Sequence, residues 1–459
     1  MFHKFYCFLI ILSAIAFPIA ADAGIGPDQE DLKERLGGAI YRDLTLSINE
    51  NMACMTCHHP SAGFADPKNR IFPEWFPVSQ GSIPTLYGGR NAPMSAYAGF
   101  SPIFHYDQTN SVFTGGLFWD GRASGRPDYT ATGTLGSGPT GDPLADQAKG
   151  PPGNPVEMGL TFENTELTTE AAVVGIIERS SYAKLFKKVF GQDAFADVKV
   201  AYNNASLALA AFERSSAVTK FNSKFDKFVK EQGGDVSSFG VITITIQDET
   251  FRKYVGPPKH FKSRYFSYDE ADGLAIFNAD SYTQRNLKQD PDNENGGQCY
   301  RCHLTQNHVV AKNDPNIPTN GPRPGTYNPL LTDFTFDNLG IPVNPQIAKL
   351  AGPQSTDNGL GAQTELLKYA CPGCDPKLEL GKFKVSSLRN ISRTAPYGHN
   401  GYFATMYDIV HFYNTRDTGK GIWPDPEVSD NVNKVEMGNL GLTLKQELKV
   451  VKFLNTLDD

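Results

Sequence analysis

Two copies of one five-residue pattern, C-x-x-C-H, carry the clearest capacity for chemistry in this chain. They consist of Cys54, Cys57 and His58 and, far downstream, of Cys299, Cys302 and His303. The pattern is the attachment signature of a c-type haem, in which both thiols add to vinyl groups and the histidine ligates the iron. Its spacing lets all three side chains reach one porphyrin from a single turn. We therefore predict two covalently attached haems.

Zinc binding is one alternative to haem attachment at these cysteines. A zinc site usually needs four ligands in two nearby clusters, whereas each copy offers three and the copies are far apart in sequence. A plain disulfide remains an alternative. His59, next to His58, is interpreted as a surface neighbour. The third C-x-x-C, Cys371 with Cys374, is followed by Asp375 instead of histidine. We predict a disulfide there, with a catalytic redox pair as the alternative.

The first 23 residues have the pattern of a signal peptide. Lys4 precedes an apolar run from Phe5 to Ala20, and an A-x-A cleavage pattern follows at residues 21–23. The run is short for a membrane span, although an uncleaved anchor helix is the alternative. We predict cleavage before Gly24, no membrane span afterwards, and a location in the periplasm, where bacteria attach c-type haem.

The composition is that of a soluble globular protein. Of its 459 residues, 40% are hydrophobic and 20% charged, which is ordinary for this class. The net charge of −7 gives no support to a nucleic-acid partner. The 43 glycines and 31 prolines indicate long loops around a modest number of helices. We predict a mainly α fold.

Similar segments precede the two haem motifs and indicate an internal repeat. "DLKERLGGAIYRDLTLS" comes before the first and "YDEADGLAIFNADS" before the second, and both are typical of short amphipathic helices. We therefore predict two tandem c-type cytochrome domains, residues 24–230 and 231–459, with the haems near their interface. "AYNNASLALAAFER" and "LTLKQELKVVKFLNTL" predict further helices, the second with a Thr443–Gln446 capping box, and "VITITIQ" a strand or linker.

Four more segments give the chain a family resemblance. They are Leu117–Ala123, Asp146–Gly159, Arg90–Pro93 and Ser387–Gly401. Together with the haem motifs, and in their order along the chain, they resemble the bacterial di-haem cytochrome c peroxidase and MauG family across most of the mature chain. The resemblance implies that the haem of His58 meets peroxide and that the haem of His303 transfers or stores electrons.

The same resemblance assigns roles to residues away from the motifs. Trp119 matches the tryptophan between the haems; without the resemblance it would be interpreted as a core aromatic. Glu157 matches the distal-pocket acid, and Gln147 a second distal polar group. A fixed carboxylate can carry a proton from one peroxide oxygen to the other. The alternative for Glu157 is a residue that merely begins a helix after a proline.

A calcium ion between the haems is also implied by the resemblance. Asn91 matches a side-chain ligand, and Thr394 and Pro396 match two main-chain carbonyl ligands. Oxygen donors of this kind suit calcium.

Tyr413 stands where the resemblance places the sixth ligand of the second haem, 17 residues after Pro396. Ordinary di-haem peroxidases have methionine there, and MauG-like proteins have tyrosine. A thioether raises the potential, whereas an anionic phenolate favours ferric and higher states. The alternatives are a packed aromatic at Tyr413, or His411, Met406 or Met437 as the ligand.

The first haem is predicted to be open at rest. Peroxidases that need reductive activation carry a histidine in the loop after the first motif, and "FADPKNRIFPEWFPVSQGSIP" has none. Gln80 falls near that place, and His105 lies further on as the alternative ligand.

These features predict an enzyme that hydrogen peroxide oxidises to a high-valent di-iron state. The pair would then oxidise a substrate by long-range electron transfer, and an aromatic residue of a periplasmic partner protein is the predicted substrate. The first alternative is a conventional peroxidase that takes electrons from a small redox protein, and Tyr413 argues against it. The second is a non-enzymatic di-haem electron carrier, and Glu157 argues against that.

Overall fold

The structure, a computed structural model, describes residues 28–129, 138–161, 167–246, 249–284, 295–419 and 421–459. The predicted signal peptide lies outside these described residues. None of the helices within them combines the length and the apolar character that a membrane crossing requires.

Helices outnumber strands among the regular elements of the described residues, which confirms the predicted mainly α fold. In chain order they are α1 (Gln29–Ile40), α2 (Cys54–Cys57), α3 (Pro67–Ile71), α4 (Pro143–Ala148), α5 (Gly150–Gly153), α6 (Thr169–Arg179), α7 (Ala183–Phe190), α8 (Val198–Arg214), α9 (Lys224–Glu231), α10 (Tyr268–Asn278), α11 (Pro345–Ala351), α12 (Thr364–Ala370), α13 (Met406–Thr415) and α14 (Leu444–Leu454).

The strands are short and pair only as antiparallel two-stranded ribbons in the described residues. They are β1 (His105–Asp107) with β2 (Val112–Thr114), β3 (Val241–Ile246) with β4 (Glu249–Tyr254), β5 (His308–Val310) with β6 (Gly325–Tyr327), and β7 (Phe336–Asp337) with β8 (Phe383–Lys384). The predicted strand in "VITITIQ" is therefore confirmed as β3.

The helices predicted before each haem motif are confirmed as α1 and α10. Leu32, Leu36 and Ile40 recur every four residues on α1 and are buried, so one face of this helix points into the core. Ser267 forms a capping box with Glu270 at the start of α10, which satisfies the free N–H groups of its first turn.

The two helices are held by the same kind of contact. A Cβ added at Gly37 of α1 would lie 1.8 Å from the main-chain oxygen of Ala208 on α8. One added at Gly273 of α10 would lie 2.0 Å from the main-chain oxygen of Lys449 on α14. Only glycine allows backbones to approach this closely. Both haem motifs thus follow a helix that crosses a later helix backbone to backbone, which supports the predicted repeat.

The buried side chains form two main hydrophobic clusters. Residues up to Val218 supply most of the first, and residues from Phe225 onward supply the second. Val310, Leu330 and Phe334 nevertheless join the first cluster, because the long segment after the second motif packs back on it. The division into domains at residue 230 stays a prediction.

Several local predictions are confirmed. Cys371 and Cys374 form a disulfide. Thr443 and Gln446 form the capping box of α14. The helix predicted from "AYNNASLALAAFER" lies within α8.

Arg389 ties the second half of the chain to α9. Its side chain is 0% exposed, and it donates to Asp226 Oδ2 at 2.7 Å and to Pro329 O at 2.9 and 2.6 Å. Arg389→Met should lower the free energy of unfolding by roughly 3–5 kcal/mol, because Asp226 would be left as an unpaired buried charge. Urea denaturation measures this, and Arg389→Met combined with Asp226→Leu is the control. The double variant should lose less stability than the single variant; an equal or larger loss would contradict the explanation.

Candidate haem sites

The first C-x-x-C-H motif occupies one helical turn. Cys54 and Cys57 are the ends of α2, and His58 follows at its C-cap, with its N–H donating to Cys54 O at 2.9 Å. His58 Nδ1 donates to Phe64 O at 3.2 Å, so Nε2 is the nitrogen left for a metal. Burial lowers the pKa of His58, which keeps the imidazole in the neutral form that ligates iron.

In the second motif the histidine makes the same two kinds of hydrogen bond, although the chain there forms a 3-10 turn at Cys299–Arg301. The His303 N–H donates to Cys299 O at 2.8 Å, and His303 Nδ1 donates to Leu331 O at 2.9 Å. Burial lowers the pKa of His303 to about 4. It also raises the pKa of Cys299 to about 12, as it does for Cys54. Neither pair is therefore a low-pKa redox pair.

Each motif borders a cavity. The first cavity is lined by Cys54, Cys57 and His58. The second is lined by Cys299, Cys302 and His303. All three side chains of each motif therefore reach one open space, as attachment to a single haem requires. A third cavity, called the connecting cavity because it shares lining residues with each of the other two, is lined by His58, Trp119 and Gln147.

The residues present fit two c-type haems. Cys371 and Cys374 are joined, but the four motif cysteines are free, although their spacing is the same. Within the described ranges, the His, Cys, Asp or Glu groups close enough to share a metal are Cys302, Asp337 and Glu436. No such group joins cysteines of both motifs, so the zinc alternative gains no support.

Glu157 is placed in the wall of the first cavity. The short turn after Pro155 carries it, and Asn154 Nδ2 donates to its Oε1 at 2.6 Å. Burial raises its pKa, against the lowering effect of the Asn154 hydrogen bond. Gln147, on α4, lines both the first and the connecting cavity.

Trp119 lines all three cavities. Its Nε1 donates to Asn91 O at 2.8 Å, and its own carbonyl accepts from the Lys384 N–H at 2.8 Å. The indole is thus fixed in the wall between the two motif cavities.

Tyr413, on α13, lines the second cavity together with His303. Burial raises the pKa of Tyr413 strongly. Of its predicted alternatives, His411 is bonded to Glu447 Oε1 at 2.9 Å and does not line this cavity, and neither does Met406. Met437 does line it. The assignment of the sixth ligand stays a prediction.

The predicted calcium residues come together at the second cavity. Asn91, Thr394 and Pro396 all line it. Asn91 Nδ2 donates to Pro77 O at 2.9 Å, which turns the amide so that Oδ1 is free to accept. The donors are all oxygen atoms, as calcium prefers, and the site stays a prediction.

Neither residue considered as a distal ligand of the first haem lines the first cavity. Gln80 accepts from Lys68 Nζ at 2.8 Å and donates to Pro84 O at 2.6 Å. His105 Nδ1 donates to Ile103 O at 2.7 Å on β1. Both side chains are therefore engaged away from the first cavity.

Sequence reasoning missed His399, which lines both motif cavities. It stacks on Phe383 at 3.5 Å, lies 3.8 Å from Glu427 Oε2 and has no hydrogen-bond partner on Nε2. Leu117 bridges Ala123 and Tyr397 bridges Phe403 with the same spacing, so "FWDGRA" and "GHNGYF" are repeated turns.

Comparisons with known proteins give one consistent result. The family model described as di-haem cytochrome c peroxidase matches residues 31–234. The chain is 28% identical to the methylamine utilization protein MauG of Paracoccus denitrificans, over 97% of this chain and 93% of that protein. It is 30% identical to the cytochrome c551 peroxidase of Pseudomonas aeruginosa, over 87% of this chain and 76% of that protein.

A solved structure agrees with the sequence comparisons. The diheme peroxidase BthA from Burkholderia thailandensis superposes with a TM-score of 0.63 at 25% identity, covering 93% of this chain and 86% of that one. Two haem motifs that each line a cavity, a shared fold and these identities lead to one conclusion. The chain belongs to the di-haem cytochrome c peroxidase family, which includes MauG proteins, and is a haem-dependent oxidoreductase of the peroxidase type.

Proposed function

We propose that this protein is a MauG-like enzyme that uses hydrogen peroxide to oxidise an aromatic residue of a partner protein. The observation that carries the proposal is the position of Tyr413, which faces the second cavity with His303. In this reading the mature chain is exported to the periplasm, both motifs hold haem covalently, and Asn91, Thr394 and Pro396 bind calcium.

The haems, when bound, supply the irons that together give two electrons to peroxide. The chain's own contribution begins at Glu157, in the first cavity. Its carboxylate takes a proton from one peroxide oxygen and returns it to the other as the O–O bond breaks, so that water leaves. The Asn154 hydrogen bond at 2.6 Å holds the carboxylate in place, and Gln147 orients peroxide by hydrogen bonding.

Trp119 provides the route between the two cavities. It lines both, and its hydrogen bond to Asn91 O prevents the indole from rotating. A fixed aromatic ring shortens the gap that an electron must cross. The oxidising equivalents can then be shared without any movement of the chain.

Tyr413 supplies a ligand suited to holding oxidising equivalents. A phenolate is a hard anion, so it favours ferric and higher states, whereas methionine raises the potential. The substrate then gives up two electrons one at a time through the protein, and it does not need to enter a cavity. A tryptophan or tyrosine on a docked protein fits this requirement.

A conventional peroxidase is the second candidate function, and Met437 is the observation that favours it. Its thioether also lines the second cavity. With methionine as ligand, the second haem would accept electrons readily from a small donor protein. A pure electron carrier is less well supported, because a carrier has no use for a buried carboxyl such as Glu157 beside an open iron.

Spectroscopy of the diferric protein tests the proposal. We expect one high-spin and one low-spin haem, because neither Gln80 nor His105 lines the first cavity and Tyr413 is the proposed sixth ligand of the second haem. When hydrogen peroxide is mixed with the diferric protein in the absence of a reductant, the absorption spectra of both haems should change. Two low-spin haems, or no reaction until the protein is reduced, would contradict the proposal and favour the conventional peroxidase.

A further inference from the structure

Lys384 lies in the wall between the two haem cavities. It ends β8, its N–H donates to Trp119 O at 2.8 Å, and its side chain lines both the second and the connecting cavity. It is therefore adjacent to the proposed electron route and to both haem sites.

Among the described residues, the ammonium group of Lys384 has no anionic partner close by. Nζ donates to Gly115 O at 3.2 Å and Phe334 O at 3.4 Å, and it lies 5.4 and 5.3 Å from the rings of Phe334 and Phe336. Across the described ranges no carboxylate lies within 4.0 Å of it. The acidic group that acts on it is Asp333, at longer range, and that carboxyl already accepts from Thr335 N and Oγ1 at 2.9 and 2.8 Å.

Lys384 is half-buried, and a cation held away from bulk water without an anionic partner is costly, so proteins usually pair such charges. Burial lowers the pKa of Lys384 to about 7, because the charged form of the side chain is destabilised there. Haem brings two propionate carboxylates into each cavity. A propionate is an anion that can pair with the ammonium group of Lys384 in the cavities that this lysine lines.

We propose that Lys384 is a positioning residue that binds a haem propionate in the wall between the cavities. Its positive charge there favours the reduced form of that haem and holds its potential up. The inference needs haem in the cavities, but neither the tyrosine ligand nor a protein substrate. It can therefore fail while the proposed function stands, and the proposed function can fail while it stands.

Spectroelectrochemical titration of the holoprotein tests this role. Lys384→Gln should lower the midpoint potential of one haem, changing its oxidised-to-reduced ratio at a fixed potential by about tenfold, which is 59 mV for a one-electron couple. Lys384→Arg keeps the charge and should stay close to the wild type. The matched control is Lys382→Gln, in the same segment, where the lysine pairs with Glu379 at 3.0 Å; both midpoints should be unchanged.

Two outcomes would overturn the proposal. One is a Lys384→Gln holoprotein with both midpoints unchanged; the other is an equal shift in Lys384→Arg. If Lys384→Gln does not accumulate, the wild type and Lys384→Arg are compared across neutral pH. A lysine bound to a propionate keeps its proton, so the two proteins should have the same profile. An unpaired Lys384 would lose its proton, and a midpoint that falls with rising pH only in the wild type would overturn the pairing.

Discussion

Glu157→Gln is expected to slow the reaction of the diferric protein with hydrogen peroxide by roughly 10²–10⁴-fold, the usual contribution of a positioned general acid–base group. Glutamine keeps the shape and can still contact Asn154, but it cannot take up a proton. Stopped-flow absorbance, with the observed rate plotted against peroxide concentration, gives the second-order constant. Haem content and the diferric spectrum should be unchanged.

The pKa of Glu157 also predicts in which direction the rate of the peroxide reaction changes with pH. The carboxylate form of Glu157 is the one that accepts the proton, and burial raises its pKa above the ordinary 4.5. The wild-type rate should therefore increase as pH increases through that raised pKa and then level off, and the glutamine variant should lose this step. Glu178→Gln, at an exposed position of α6, is the matched control. A wild-type rate in Glu157→Gln would exclude the acid–base role.

Tyr413→His is expected to leave covalent haem attachment intact and to abolish the long-lived oxidised form that follows peroxide addition. A neutral imidazole lacks the anionic charge that favours ferric and higher states. The lifetime of the oxidised form is followed by absorbance after one equivalent of peroxide is added. In the variant, this form should decay much faster than in the wild type. The low-spin signal should remain, because histidine also binds iron strongly.

Two control variants decide whether Tyr413 is the ligand. Tyr407→Phe alters a tyrosine of the same helix that stacks on His411 and does not line the second cavity, so it should behave as the wild type. Met437→Leu removes the thioether of the alternative ligand, and it should leave the low-spin spectrum and the lifetime of the oxidised form unchanged. If Met437→Leu changes the low-spin spectrum and Tyr413→His does not, the ligand is Met437 and the conventional peroxidase is favoured.

Local features of the fold could be predicted because short-range rules determine them. The single turn of Cys54 to Cys57, the capping box at Thr443 and the disulfide at Cys371 each depend on residues within a few positions. The close crossing at Gly37 could not be predicted. Its partner, Ala208, is remote in sequence, and neither residue type reveals the contact.

Some residues of the candidate site could be predicted from the sequence and others could not. His58 and His303 were found from spacing, and Glu157 and Trp119 from resemblance. His399 and Lys384 were missed, because each becomes notable only through the cavities that it lines. A buried imidazole or ammonium has the same letter in the sequence as an exposed one. The packing of Val310 and Phe334 into the first cluster was missed for the same reason.

The glycine crossings at Gly37 and Gly273 bear on how constant the tunnelling distance between the irons is. Side chains between two helices can exchange rotamers, and each exchange changes the helix spacing. At these crossings main chain meets main chain, so no such exchange is available. The helix that precedes each motif is therefore held at a fixed spacing from the helix that it crosses. In the proposed transfer between the haems, thermal fluctuation at these two crossings should contribute little to the spread of transfer rates from one molecule to another.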